Sequence, residues 1–196
     1  MPLTVLSILF GAAFTILAAY GAGVLLLRRL PAPPEIALGL GAAALSFLVF
    51  VLLSVHALHP AVLLAVGAAL SACALRLRRT PLEEPSKAPL GRAWIAAGLI
   101  LAVYGAWYVV NAMAPEITPD GITYHLGLPY EYVRRGAFPP RVAFYDMVPQ
   151  GLEMLYTLAF AFGRHSAAKL VEFTFFLAAL PLIFRIGRRL HMADLA

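Results

Sequence analysis

Apolar residues run through this chain in long blocks separated by short polar breaks. Leu3 to Leu27, Ile36 to Val55, Ala61 to Leu75, Trp94 to Met113 and Ala167 to Phe184 each approach or exceed the roughly 20 residues that a helix needs to cross hydrocarbon. A shorter block, Gly151 to Gly163, precedes the last of these. The blocks lack the period-two alternation of a membrane β-barrel. The pattern therefore predicts an all-α fold, a polytopic transmembrane helical bundle of about six spans. The breaks carry Pro, Gly and Arg, which end helices and anchor them at the headgroups.

Composition sharpens that picture. Hydrophobic residues make up 62% of the chain and charged residues 13%, against roughly a quarter charged in soluble domains. The net charge of +5 does not form a nucleic-acid face, because the arginines sit at block ends: Arg28 and Arg29, then Arg76, Arg78 and Arg79, then Arg185, Arg188 and Arg189. Membrane lipids, not nucleic acid, are the partners this implies. The first block lacks a basic leader and a cleavage site, so it reads as a retained span. Cys73 is the single cysteine and lies inside the third block, where it reads as a packing residue.

Topology follows from placing the two strongest basic clusters in the cytoplasm, Arg28 with Arg29, and Arg76 to Arg79 with Lys87 and Arg92. The N-terminus then lies outside, and the polar segment Ala114 to Gln150 is an exoplasmic loop. Residues 1–79 read as an accessory three-helix unit, the proline-rich 80–92 as a cytoplasmic linker, and 93–196 as the start of a second module. If Gly151–Gly163 and Ala167–Phe184 both cross, "RIGRRL" lies outside, against the positive-inside rule. Sequence leaves the orientation of these two spans open.

Polar chemistry concentrates in the loop. The first 113 residues hold three acids, Glu35, Glu83 and Glu84, whereas the loop holds Glu116, Asp120, Glu131 and Asp146 together with His125, Arg134, Arg135 and Arg141. Thr118-Pro119-Asp120-Gly121 is a turn, and Asp120 reads either as the cap of a helix starting near Gly121 or as a functional acid. Pro129 interrupts that helix, and Gly136 with Pro139-Pro140 ends the next piece. Tyr124, Leu128 and Tyr132 share one face, and Leu126, Tyr130 and Val133 a neighbouring one, which suits short helices lying in the interface.

There, desolvation and a nearby arginine tune Asp120 as a base, and Arg134, Arg135 and Arg141 suit an anionic headgroup or phosphate. Glu116 is a possible partner carboxylate. Glu153, inside the short apolar block, is costly in lipid unless it reaches the interface or has a function. Glu172 stands three residues after Lys169, the spacing of an intrahelical ion pair. His56, His59, His165 and His191 show no metal-ligand spacing.

Three stretches, "PDGITYHLGLPYEYVRRGAFPP", "FYDMVPQGLEMLYTLAFAFG" and "AAKLVEFTFFLAALPLIFRIGRRL", resemble the first exoplasmic loop and following two spans of GT-C superfamily membrane glycosyltransferases. The resemblance is to the bacterial branch similar to protein O-mannosyltransferases and lipid A aminoarabinose transferases. It covers about Trp94 to Leu190. Asp120 matches the family's catalytic acid, Tyr124 and His125 its neighbouring loop residues, and Pro149, Gln150 and Glu153 the start of the next helix. Asp-Gly stands where many members carry Asp-Glu, and three helices precede the matching region.

The resemblance implies an enzyme of the bacterial inner membrane that transfers a sugar from a polyprenyl-phosphate donor to an acceptor hydroxyl, with inversion. Asp120 is then the base, Arg134, Arg135 and Arg141 bind the lipid phosphate with Tyr124 and His125 beside them, and no metal or other cofactor is required. It further implies a longer protein of which this chain is the N-terminal portion. The alternative is a non-enzymatic multi-pass protein, a transporter subunit or a lipid- or partner-binding protein.

Overall fold

The computed structural model describes residues 2–77 and 92–189. Among them all regular structure is helical: α1 (Pro2–Leu26), α2 (Pro34–Ser54), α3 (Pro60–Arg76), α4 (Arg92–Met113), a short α5 (Gly127–Arg135) and a long α6 (Gly151–Arg189). Helices α1, α2, α4 and α6 are long and apolar enough to cross a membrane, and α3 is apolar but shorter at 17 residues. The chain is an all-α membrane helical bundle. The expected linker, apart from Arg92, and His191 lie outside the described residues.

Prolines open two of these helices, since Pro34 and Pro60 occupy first-turn positions that need no N–H donor. His59 caps α3, its Nδ1 accepting from the Ala61 amide at 3.2 Å. Helix α2 runs antiparallel to α1, and α3 parallel to it, at backbone contact. A Cβ on Gly23 would lie 1.7 Å from the Ala37 carbonyl oxygen, one on Gly41 1.8 Å from that of Ala19, and one on Gly21 1.8 Å from that of Leu70. Small residues let apolar helices approach this closely, and dispersion contacts then hold them in lipid.

Helix α6 is not a single rod. Arg164 has φ 61° and ψ −166°, and the chain reverses there. Leu152 and Phe175 line one groove, although a straight helix would hold them about 35 Å apart. The arm 151–163 buries Met154, Leu155, Leu158 and Ala159 in the core, and Gly163 meets the backbone of Ser7 and Ile8 on α1. The arm 165–189 returns beside α4, with Phe173 stacked on Tyr108 at 4.5 Å and Phe176 at 5.5 Å from Tyr104.

That arm ends with Arg185 Nε 3.8 Å from Glu35 Oε2, in the first turn of α2. Its basic end therefore joins the end of the bundle that holds Arg28 and Arg29. The block 151–163 is thus one arm of a hairpin with 165–189, and among the described residues four helices, α6 counted once, are long and apolar enough to cross a membrane. Helices α1, α2 and the α6 hairpin share one core.

The loop between α4 and α6 covers the opposite end. Leu58, in the α2–α3 turn, donates to the Gly136 carbonyl at 3.3 Å. Phe138 packs against Phe50 at 5.5 Å and Tyr132 at 5.3 Å. Gly136 closes α5 with φ 69°, the left-handed conformation in which a side chain is strained.

Candidate functional site

The segment after α4 is tied down by Glu116 and Thr118. Glu116 Oε1 accepts from the Ile117 amide at 3.1 Å, the Thr118 amide at 2.9 Å and the Thr118 hydroxyl at 2.7 Å. Its Oε2 lies 2.9 Å from Lys169 Nζ on the returning arm of α6. The Lys169 bond first, then those of Thr118, pull the Glu116 carboxyl down from the usual 4.5 to about 2.

Thr118 also caps the next turn, its Oγ1 accepting from the Gly121 amide at 3.2 Å, and Pro119 follows where a helix begins. Asp120 makes no capping bond. The cap expected of Asp120 thus belongs to Thr118, and the Asp120 carboxylate is left for other contacts.

Residues Gly121–His125 form a wide turn, closed by the Leu126 amide donating to the Gly121 carbonyl at 2.9 Å. Such π-turns insert one residue and are frequent at functional sites. The insertion shifts the two faces expected from i, i+4 spacing: Tyr124, Leu126 and Tyr132 are buried, and Tyr130 is exposed.

The turn places His125 between two carboxylates. Nδ1 lies 2.8 Å from Glu153 Oε1 and Nε2 lies 3.4 Å from Asp120 Oδ2. The two acids differ in surroundings, since the Glu153 side chain is 5% exposed and that of Asp120 68%. Glu153, on the first turn of α6, meets the loop rather than lipid.

Asp120 and His125 open onto a cavity of about 350 Å³ whose walls include Glu116, Lys169, Tyr108, Tyr156 and Glu172. Tyr108 Oη lies 3.4 Å from Glu172 Oε2 and 3.3 Å from the Lys169 carbonyl. Lys169 pairs with Glu116, so the expected Lys169–Glu172 pair is replaced by contacts of each to α4 or the loop. Lys169, Glu172, Tyr108 and Tyr156 are cavity residues that the sequence did not point to as a site, and Lys169 is the one with a signal. Its signal was a lysine within an apolar block, which a bundle tolerates when it is paired.

The predicted arginines are not brought to this cavity. Arg135 Nε pairs with Glu131 Oε2 at 2.9 Å along α5, and Arg134 and Arg141 are exposed on the loop surface. Tyr124 and Gln150 hold the loop to the start of α6. The Tyr124 hydroxyl donates to the Pro149 carbonyl at 2.8 Å, and its ring stacks on Tyr145 at 5.6 Å. Burial raises the Tyr124 hydroxyl above its ordinary value. The Tyr132 hydroxyl donates to Gln150 Oε1 at 2.6 Å, and burial pushes it up to about 12.

Beside the polar cavity runs an apolar groove of about 720 Å³, floored by Gly39, Ala42 and Ala43 of α2 and walled by Phe47, Phe50, Leu155 and Phe175. Leu152 lines both spaces. Among the described residues, no group of three or more His, Cys, Asp or Glu is arranged to hold a metal ion. No family model, curated protein or solved structure matches the chain, and the geometry of the site carries the functional argument.

Proposed function

We propose that this chain carries the acid–base site of a membrane glycosyltransferase of the GT-C kind, which moves a sugar from a polyprenyl-phosphate donor to an acceptor hydroxyl. The observation that supports it is a carboxylate with no capping duty, Asp120, set against an imidazole at the mouth of a polar cavity. The apolar groove that shares the Leu152 wall suits a prenyl chain lying beside that mouth. The cavity walls carry Glu116, Asp120 and Glu172 against Lys169, a balance that favours a hydroxyl-bearing acceptor over a phosphate. Arg134 and Arg141, exposed on the loop surface away from the cavity walls, would attract the anionic donor to this face of the membrane.

In this reading Asp120 takes the acceptor proton as the acceptor oxygen attacks the anomeric carbon. The bond from that carbon to the phosphate oxygen breaks with its electron pair, and the phosphate leaves on the prenyl chain. On the same reading Arg28, Arg29 and Arg185, at one end of the bundle, face the cytoplasm by the positive-inside rule and the loop faces the exoplasmic side, in what we take to be a bacterial inner membrane.

The test is transfer of labelled sugar from a panel of polyprenyl-phosphate donors by membranes expressing the chain in its longest reading frame, with Asp120→Asn at equal expression. Transfer by the parent and its loss in the variant support the reading; equal transfer by both removes Asp120 as the base. The acids on α6, Glu153 and Glu172, also suit a proton-coupled carrier. No transfer by either protein from any donor, with Asp120-dependent proton uptake into proteoliposomes, would favour that second reading.

A further inference from the structure

We infer that Glu153 is a positioning residue that fixes the tautomer of His125, and that His125 shares with Asp120 the proton taken from the acceptor. The inference rests on the acid–base reading of the site given above. A neutral imidazole has one N–H and one lone pair, and the hydrogen bond made by one nitrogen decides the role of the other. Glu153 Oε1 stands 2.8 Å from Nδ1, a distance at which a carboxylate draws the proton to that nitrogen. Nε2 is then an acceptor 3.4 Å from Asp120 Oδ2, and the two form a hydrogen bond once Asp120 has taken the acceptor proton. A buried acid orienting an imidazole whose far nitrogen handles the proton is the division of labour used in hydrolytic triads.

The burial difference sets the direction. With its side chain 5% exposed, Glu153 has little water to compete for its hydrogen bond, whereas Asp120, at 68%, meets incoming molecules. When the acceptor O–H breaks, its electron pair goes into the new bond to the sugar and its proton goes to Asp120. That proton passes to Nε2, and the resulting imidazolium lies between two carboxylates. It returns to solvent through the open side of His125, whose side chain is 46% exposed. The other charged groups around this space, Glu116, Lys169 and Glu172, line the same cavity; Glu116 and Lys169 are paired with each other.

The experiment is ¹⁵N NMR of the histidine-labelled chain in lipid nanodiscs at about pH 8, where an unperturbed imidazole is neutral. The His125 signals are assigned by their loss in His125→Gln. The parent is expected to carry its proton on Nδ1, and Glu153→Ala to revert to the Nε2–H form that free imidazole favours. Sugar transfer by Glu153→Ala is expected to fall about 10- to 100-fold, the size of effect seen when the partner that orients a metal-bound histidine is removed.

A parent with the proton on Nε2, or with both nitrogens protonated, overturns the inference without recourse to any variant. So does a Glu153→Ala protein that keeps the Nδ1–H form or transfers sugar at the parental rate. The tautomer is read with no donor present, so its result is separate from that of the Asp120→Asn transfer assay.

Discussion

Replacing Thr118 by Ala should loosen the turn that carries Asp120 and His125, whereas replacing Asp120 by Asn should not. Thr118 Oγ1 accepts from the Gly121 amide at 3.2 Å and donates to Glu116 Oε1 at 2.7 Å. Loss of an N-cap costs about 1 kcal/mol. Loss of a hydrogen bond to a carboxylate adds up to about 1.5 kcal/mol, reduced here because water reaches the exposed Thr118. A total of about 1–2 kcal/mol corresponds to local opening about 5- to 30-fold more often. Hydrogen exchange reads this at the Ile122 amide, bonded to the Thr118 carbonyl at 3.0 Å, and at the Leu126 amide, bonded to Gly121. Asp120→Asn should leave both within about 2-fold of the parent, since its side chain makes no capping bond to the backbone of the turn and its contact is with the exposed His125 ring. Faster exchange in Asp120→Asn with none in Thr118→Ala would return the cap to Asp120 and remove the argument that its carboxylate is free.

Three further outcomes follow from the packing. Gly23→Ala and Gly41→Ala should each cost about 1–3 kcal/mol in an unfolding assay in bicelles, because the added Cβ meets a backbone oxygen that cannot rotate away. Arg164→Gly should stabilise the protein by about 1 kcal/mol, as a strain of about 1–3 kcal/mol is relieved and part of the gain is lost to the entropy of glycine. Stability should be undiminished by Glu116 above pH 4.5 and fall as pH drops through that value toward about 2, since the unfolded chain takes up the Glu116 proton first. Glu116→Gln should flatten that acid slope in equilibrium unfolding measured across the range.

Much of the bundle was legible because hydrophobic runs directly report membrane-length helices, and the blocks Leu3–Leu27, Ile36–Val55 and Trp94–Met113 match α1, α2 and α4 to within two residues at either end. The loop was legible as the polar centre for the same reason, since ionisable groups are excluded from the blocks. Reversal at Arg164 was not, because "GRHSAAK" looks like a connection between spans, and the backbone conformation of one residue decides whether the two arms fold together. Lys169 and Glu172 reach the cavity only through that reversal, so their place beside Asp120 and His125 left no local trace. The choice left open for Asp120, cap or functional acid, could have been narrowed from sequence, because Thr118 followed by Pro119 is a favoured start of a helix and stands two residues before Asp120. The arginines were grouped by proximity in sequence, whereas Arg135 is satisfied within α5 and the cavity draws its cation from α6.

The cavity onto which Asp120 and His125 open takes Lys169 and Glu172 from the far arm of α6, and their arrival there needs α6 to fold back on itself. Spin labels at Leu152 and Phe175, in the chain reconstituted into nanodiscs, measure this most directly. Both positions line the same groove, so the account predicts a pulsed-dipolar distance below about 20 Å, label arms included, against about 35 Å for a continuous helix. A single population near the longer distance would contradict the hairpin and, with it, the site built upon it.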